Sequence, residues 1–198
     1  TYAPALYDLT ELQRDANKLY GFSAKETLNY MQSLYERHKV LTYPRTDSRY
    51  LTADIVETLP ERVRACQGGS FSQACVQILK KPIAGNKSFV DDSKVSDHHA
   101  IIPTEQPVRL SDLEFGERKI YELVVSRFQA VLMPPFEYEQ TDVRADIGGQ
   151  IFTAKGKIVK SAGWKAVYDH EEDDEDEDAV KEQLLPELSK GQTLNISS

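Results

Sequence analysis

Leu41-Thr42-Tyr43-Pro44-Arg45-Thr46-Asp47-Ser48 gathers a phenol, a guanidinium, side-chain hydroxyls and a carboxylate around one proline. Residues from Lys39 to Tyr43 are β-prone and Pro44 forbids a strand's continuation, so Tyr43 is expected at a strand end. A phenol, with a pKa of about 10, is a poor nucleophile at neutral pH unless a cation or a base favours the phenolate. Arg45 supplies such a cation two residues on, and its fork of donors also suits a phosphate. Chemistry alone leaves two readings open: a nucleophile aimed at a phosphodiester, or a strand ending in a proline turn with a polar edge.

Working outward, the flanks before and after this segment are read as helical. Thr10-Glu11-Leu12-Gln13 and Ser23-Ala24-Lys25-Glu26 both match the capping box, and Gly21 separates the two helices they would start. Leu28, Met31 and Tyr35 recur at helical spacing as the inward face of the second. Thr52 is expected to cap a further helix interrupted near Pro60, and a short helix is expected from Ser72 to Lys80. Residues 82–107 read as mostly irregular. Ser111-Asp112-Leu113-Glu114 is a third capping-box match. The strongest helix follows Gly116, with Ile120, Leu123, Val124, Phe128 and Val131 inward and Pro134-Pro135 as its stop.

Beyond Phe136 the period changes to two. Tyr138 to Ala145, Gln150 to Val159, Trp164 to Tyr168 and Gln192 to Ile196 read as strands, with Gly148-Gly149 as a hairpin turn. The predicted fold class is therefore α+β and multidomain. A mainly helical domain over 1–135 carries Tyr43, and a β-rich portion covers 136–198, interrupted by an acidic disordered loop at 169–183.

The 198 residues suffice for one large domain or two small ones. The first residue is Thr1, which suggests a piece of a longer protein. No apolar run approaches a membrane span, and the start lacks a signal-peptide pattern. Cys66 and Cys75 fit neither a zinc knuckle nor a redox motif, favouring a reducing, cytoplasmic setting. The net charge of −8 argues against nucleic acid only at first sight, because nine acids fall between Asp169 and Asp178 and leave the remainder at +1.

A second polar cluster is Asp97-His98-His99-Ala100-Ile101-Ile102-Pro103-Thr104. Adjacent histidines on an extended chain point to opposite faces, so no shared metal is expected of them. A protonated imidazole near a phosphate would donate a charge-assisted hydrogen bond to a developing oxyanion.

Together these motifs resemble the type IA DNA topoisomerases, most of all the bacterial topoisomerase III branch. The likeness runs through Leu6-Tyr7-Asp8-Leu9-Thr10, Leu12-Gln13-Arg14-Asp15-Ala16-Asn17 and Gly21-Phe22-Ser23-Ala24-Lys25. It peaks at Thr42 to Ser48, resumes at His98 to Thr104, and extends to Gly163-Trp164, covering nearly the whole chain. The resemblance implies that Tyr43 attacks a phosphorus of single-stranded DNA, giving a 5′-phosphotyrosine and a free 3′-hydroxyl, with resealing independent of ATP. It implies that Arg45 contacts the scissile phosphate and helps hold the phenolate, and that His98 binds the same phosphate or a neighbour. Thr46, Ser48 and Arg49 join Arg45 as candidate DNA contacts, although Thr46, Asp47 and Ser48 also suit a loop-fixing role.

The family's Mg²⁺ belongs to an acidic Toprim domain that nothing here resembles, so no metal ligand is expected in this chain. The missing Toprim and helical domains of the same protein are implied partners, with a helicase as a further candidate and a bacterial, nucleoid-associated location. Of the two chain segments that build the family's β-rich arch, the later is expected here, and the isolated fragment is expected to be inactive. Two alternatives stay open. One is a non-catalytic single-strand-binding module using Arg14, Lys18, Lys25 and Arg49 with Tyr20, Phe22 and Tyr50. The other is a metallohydrolase built on His98 and His99.

Overall fold

The computed structural model describes residues 1–168, 185–186 and 188–193. The acidic run, His170 and positions 194–196 of the last predicted strand lie outside the described residues. Among the described residues, five α-helices are followed by one β-hairpin.

Helix α1 spans Leu9–Tyr20 and begins earlier than the Thr10 box predicts. Asp8 is its N-cap, and the Asp8 carboxylate accepts the Glu11 N–H at 2.7 Å. A carboxylate at the N-cap also meets the positive end of the helix dipole, so Asp8 displaces Thr10 from that role. Gly21 closes the helix in the left-handed conformation, φ 70°, which glycine adopts without a Cβ clash. Helix α2 spans Ala24–Glu36 with the predicted Ser23–Glu26 box fully formed. Its buried face is Thr27, Met31 and Leu34, a small rotation from the predicted set. Tyr35 is turned outward instead.

Thr52 begins a 3₁₀ turn, Ala53–Thr58, without a side-chain cap, and the Asp92 carboxylate accepts the Ala53 N–H. Pro60 does not interrupt a helix but starts one, in the first turn of α3 (Leu59–Ala65), where its missing N–H costs nothing. Helix α4 covers Ser72–Ile78. The third predicted cap is shifted: Leu110–Asp112 is a 3₁₀ turn, and α5 (Phe115–Leu132) starts from Glu114. Ile120, Leu123, Val124 and Phe128 of α5 are buried, as their spacing predicts. The helix packs against α1, α2 and α4.

Two extended segments cross the helical core without forming a sheet. Thr42 N–H donates to the Ile102 carbonyl at 3.0 Å, and Thr104 N–H donates to the Val40 carbonyl at 3.0 Å. The Thr42 hydroxyl accepts the Ile102 N–H. Nearby, Ala100 N–H donates to the Tyr50 carbonyl, and Ile101 N–H donates to that of Tyr7. The predicted strand ending at Tyr43 is thus reduced to an isolated bridge between Leu41 and Pro103. The Ile102 N–H goes to the Thr42 hydroxyl, the Val40 N–H goes to the Leu34 carbonyl and Pro44 has no N–H, so the ladder does not lengthen on either side. Leu41, Leu51, Ile101, Ile102 and Phe89 fill the space beneath.

The β portion is a two-stranded antiparallel hairpin, β1 (Glu137–Ile147) and β2 (Gln150–Ser161). Gly148 and Gly149 both take positive φ, 60° and 81°, as a two-residue hairpin turn requires. The predicted strand from Trp164 to Tyr168 is instead a 3₁₀ turn, Gly163–Val167. Gly163 (φ 49°) is the reason: a Cβ there would stand 2.2 Å from the Pro135 carbonyl oxygen. That close approach lets Trp164 N–H donate to the Pro134 carbonyl and the Trp164 indole N–H donate to that of Thr1. Gln192 and Thr193 are not in a strand.

At the start of α5, Gly116 lies against the face of Tyr30, and a Cβ would meet the ring at 2.2 Å. Gly116→Ala is expected to lower the unfolding free energy by about 1–3 kcal/mol, read as a reduced denaturant midpoint. An unchanged midpoint would contradict this contact.

The next residue of α5, Glu117, is buried, and its carboxylate accepts from Ser33, His38 and the Glu114 N–H. Burial pushes its pKa up, but those hydrogen bonds outweigh it and hold the carboxyl below the ordinary glutamate value. Its stabilising contribution is therefore full above an ordinary pKa of about 4.3 and is lost as pH falls through the depressed folded value. The stability difference between wild type and Glu117→Gln is expected to shrink as acid denaturation is approached. A difference that grows toward low pH would show the sign to be wrong.

Candidate functional site

Tyr43 stands where the chain emerges from the core after α2, half-exposed, with the His98 ring packed on it at 4.2 Å between centroids. The ring of Tyr35, from the last turn of α2, meets Tyr43 edge-on at 5.5 Å. Rings from both sides of Tyr43 in sequence thus flank one phenol. The backbone pairing of residues 40–42 with 102–104 brings His98 to this place.

The polar residues of the motif divide into two kinds. Thr46 and Ser48 are buried and their hydroxyls face inward. Thr46 donates to the His98 carbonyl at 2.9 Å and accepts the Ser48 N–H, so it ties the loop directly to the histidine segment. Ser48 donates to the Lys94 carbonyl at 2.8 Å and accepts the Tyr50 N–H. These contacts give both residues the loop-fixing role. Arg45, Asp47 and His98 are exposed. Arg49 is partly committed: its Nε donates to the Leu6 carbonyl, and its guanidinium lies 3.5 Å from Glu11.

The two adjacent histidines do separate. His99 is half-buried, and burial pushes its pKa below the usual histidine value despite a hydrogen-bonding contact with the Ala100 carbonyl. The His99 ring is thus tied to the backbone, which leaves His98 as the solvent-facing one. Among the described residues, no three His, Cys, Asp or Glu side chains converge to hold a metal ion. The metallohydrolase reading therefore has no ligand set there.

Beside Tyr43 opens a cleft of about 570 Å³, lined by Tyr35, Lys39, Leu41, Thr42, Arg62 and Thr104 among others. Sequence reasoning missed this wall. Tyr35 reads as one more inward helix position, and no motif or spacing singles out Arg62. Arg62 is in fact buried, donating to the Pro103 carbonyl and pairing with Glu105 at 3.0 Å. Lys39 takes a left-handed backbone, φ 58°, that no residue-type signal announces.

The basic and aromatic residues of the binding-module reading do not assemble as a free stacking surface. The Phe22 ring makes tilted contacts with those of Tyr20 and Tyr30, and all three pack against the core. Tyr50 is covered by Lys94, whose ammonium stands 4.2 Å above the ring. Arg14 pairs with Glu11.

A family model described as DNA topoisomerase matches residues 1–198. DNA topoisomerase 3 of Bacillus cereus is 63% identical over 197 residues, spanning 99% of this chain and 27% of that protein. DNA topoisomerase 3 of Bacillus subtilis is 59% identical over 196 residues, with the same 99% and 27% coverage. The chain thus spans about 27% of the length of these relatives. Among solved structures, full-length topoisomerase I from Thermotoga maritima shares the fold, with a TM-score of 0.58 at 24% identity. That likeness covers 84% of this chain and 27% of the other. With a family match along its whole length and relatives this similar, the chain belongs to the DNA topoisomerase family, on the branch of bacterial DNA topoisomerase 3.

Proposed function

We propose that this chain is the nucleophile-bearing part of a type IA DNA topoisomerase, which cleaves and rejoins one DNA strand through Tyr43. The observation that supports this reading most directly is the packing of the exposed His98 ring on Tyr43 at 4.2 Å. A phenol with a cationic neighbour in sequence and an imidazole over its ring is suited to attack at a phosphate rather than to serve in a core.

The step balances without a co-reactant. The Tyr43 oxygen forms a bond to phosphorus, the bond from phosphorus to the 3′-oxygen breaks, and that oxygen leaves as a hydroxyl on taking a proton. The product is a 5′-phosphotyrosine. One phosphoester has replaced another, so the reverse attack by the 3′-hydroxyl reseals the strand without ATP. Arg45 and His98 hold the non-bridging oxygens as charge develops on them. Thr46 and Ser48 act through the loop they fix, and Arg49 makes a lesser contact because its guanidinium already serves Leu6 and Glu11. The Mg²⁺ of the family is assigned to the Toprim domain elsewhere in the longer protein, which also completes the DNA groove. A non-catalytic binding module is the weaker reading, since its aromatics are packed against the core or covered.

The test uses the full-length enzyme and a 3′-end-labelled single-stranded oligonucleotide. Tyr43→Phe is expected to abolish the labelled covalent adduct and relaxation while leaving oligonucleotide binding in place. Arg45→Ala and His98→Ala are each expected to lower adduct yield by about tenfold or more. A labelled adduct that persists in Tyr43→Phe would overturn the assignment.

A further inference from the structure

We infer that Glu117 is a positioning residue for Tyr43, acting through His38 and the turn at Lys39. The inference rests on the reading of Tyr43 as the nucleophile, but its geometry is independent of that reading. Glu117 is a carboxylate only 3% exposed, on a rigid helix whose N-terminal N–H it also caps. One of its oxygens accepts from Ser33 at 2.5 Å, on the last turn of α2. The other lies 3.1 Å from His38 Nε2, just beyond the end of that helix. A single buried group on α5 therefore grips the C-terminal turn of α2 from both sides.

The chain just past His38 connects this grip to the site. Lys39 is in the left-handed region at φ 58°, where an L side chain stays only when its surroundings over-determine it. His38 is bound on one side of that residue. On the other, Val40 N–H donates to the Leu34 carbonyl, and the Thr104 hydroxyl donates to the Lys39 carbonyl at 2.6 Å. The reversed direction of the chain at Lys39 delivers Leu41 and Thr42 to their pairing with residues 102–103, and Tyr43 comes immediately after. It also fixes the angle between Tyr35, still on α2, and Tyr43, four residues past the turn. Without the carboxylate, Ser33 and His38 lose their shared partner, and the turn can relax toward right-handed backbone. A shift of about an ångström at a reacting group is enough to cost an order of magnitude or more in rate.

A merely structural carboxylate would destabilise the protein without singling out Tyr43. The test therefore compares Glu117→Ala, His38→Ala, the double variant and Ile120→Val, which weakens the buried face of α5 while keeping the carboxylate, in the full-length enzyme. Glu117→Ala is expected to cut adduct yield about tenfold with oligonucleotide affinity within about twofold, while Ile120→Val keeps wild-type yield. The double variant is expected to be no worse than the weaker single one, because both substitutions break the same link. Equal losses in Glu117→Ala and Ile120→Val, or additive losses in the double variant, would overturn the inference. A second arm does not depend on catalysis. The amides of Val40 and Thr42 are expected to exchange hydrogen about tenfold faster in Glu117→Ala than in Ile120→Val. Equal exchange at those two amides would reject the positioning role even if Tyr43 proved not to be the nucleophile.

Discussion

The pairing of residues 40–42 with residues 102–104 is the contact on which everything at the site depends. It closes a long loop, and the entropy of such a closure grows slowly with length, by about 0.6 kcal/mol per doubling. The buried side chains of Leu41, Leu51, Phe89, Ile101 and Ile102 offset it, at roughly 1.5–3 kcal/mol for each large apolar side chain taken from water. The intervening chain is not idle. It folds into α3 and α4, whose Leu59, Val63, Cys75 and Ile78 extend the same core. Removing the pairing would therefore separate Tyr43 from His98 and open the core between them.

Within that frame, polar groups are sorted by what they must satisfy. A buried hydroxyl without a partner is costly, so Thr46 and Ser48 direct theirs to the His98 and Lys94 carbonyls. The same bonds carry the histidine segment into register with the tyrosine loop. Arg45 and His98 stay at the surface, where solvent satisfies their polar groups. The inward residues thus determine the geometry, and the outward ones are left open to solvent. Glu117 applies the same sorting at a distance, since its buried carboxylate satisfies three donors, two of which, Ser33 and His38, lie at the end of α2 ahead of Tyr43.

Much of this was legible in the sequence. The spacing of Ile120, Leu123, Val124 and Phe128 revealed α5, Ser23 and Glu26 revealed the start of α2, and Gly148-Gly149 revealed the hairpin. Those features are local, and local rules suffice for them. At α1 two local signals competed, and the Asp8 carboxylate took the cap from the Thr10 hydroxyl two residues on. The larger departures arose where a distant contact decided. Trp164 left a strand because Gly163 sits against Pro135, at the far side of the hairpin in sequence. Tyr35 turned outward because Tyr43 offered it a ring edge, and Lys39 went left-handed because Glu117 and Thr104 hold the residues around it. The walls of the cleft beside the motif were set by partners no spacing could specify.

The chain holds another cluster in which a tyrosine and an arginine meet, and its phenol is held very differently from that of Tyr43. Tyr7 donates to Asp15 at 2.5 Å, with the Arg127 guanidinium 4.2 Å above its ring and hydrogen-bonded to its hydroxyl. By residue types alone, this cluster has as good a claim to an activated phenol as Tyr43 does. Burial pushes the Tyr7 pKa well above the ordinary phenol range, and although Arg127 pulls it down, the hydrogen bond to Asp15 adds to the rise. The Tyr7 proton is thus held in place, and the carboxylate it faces would repel a phosphate. Arg127 is committed in turn to Asp15 and to the Ala5 carbonyl. That cluster joins α1, α5 and the N-terminal segment, in which the Tyr7 carbonyl accepts the Ile101 N–H. It is the brace beneath the histidine segment. Tyr43 has the opposite surroundings, half-exposed beside a cleft with Arg45 exposed two residues on, which is the arrangement that the nucleophile role proposed for it calls for.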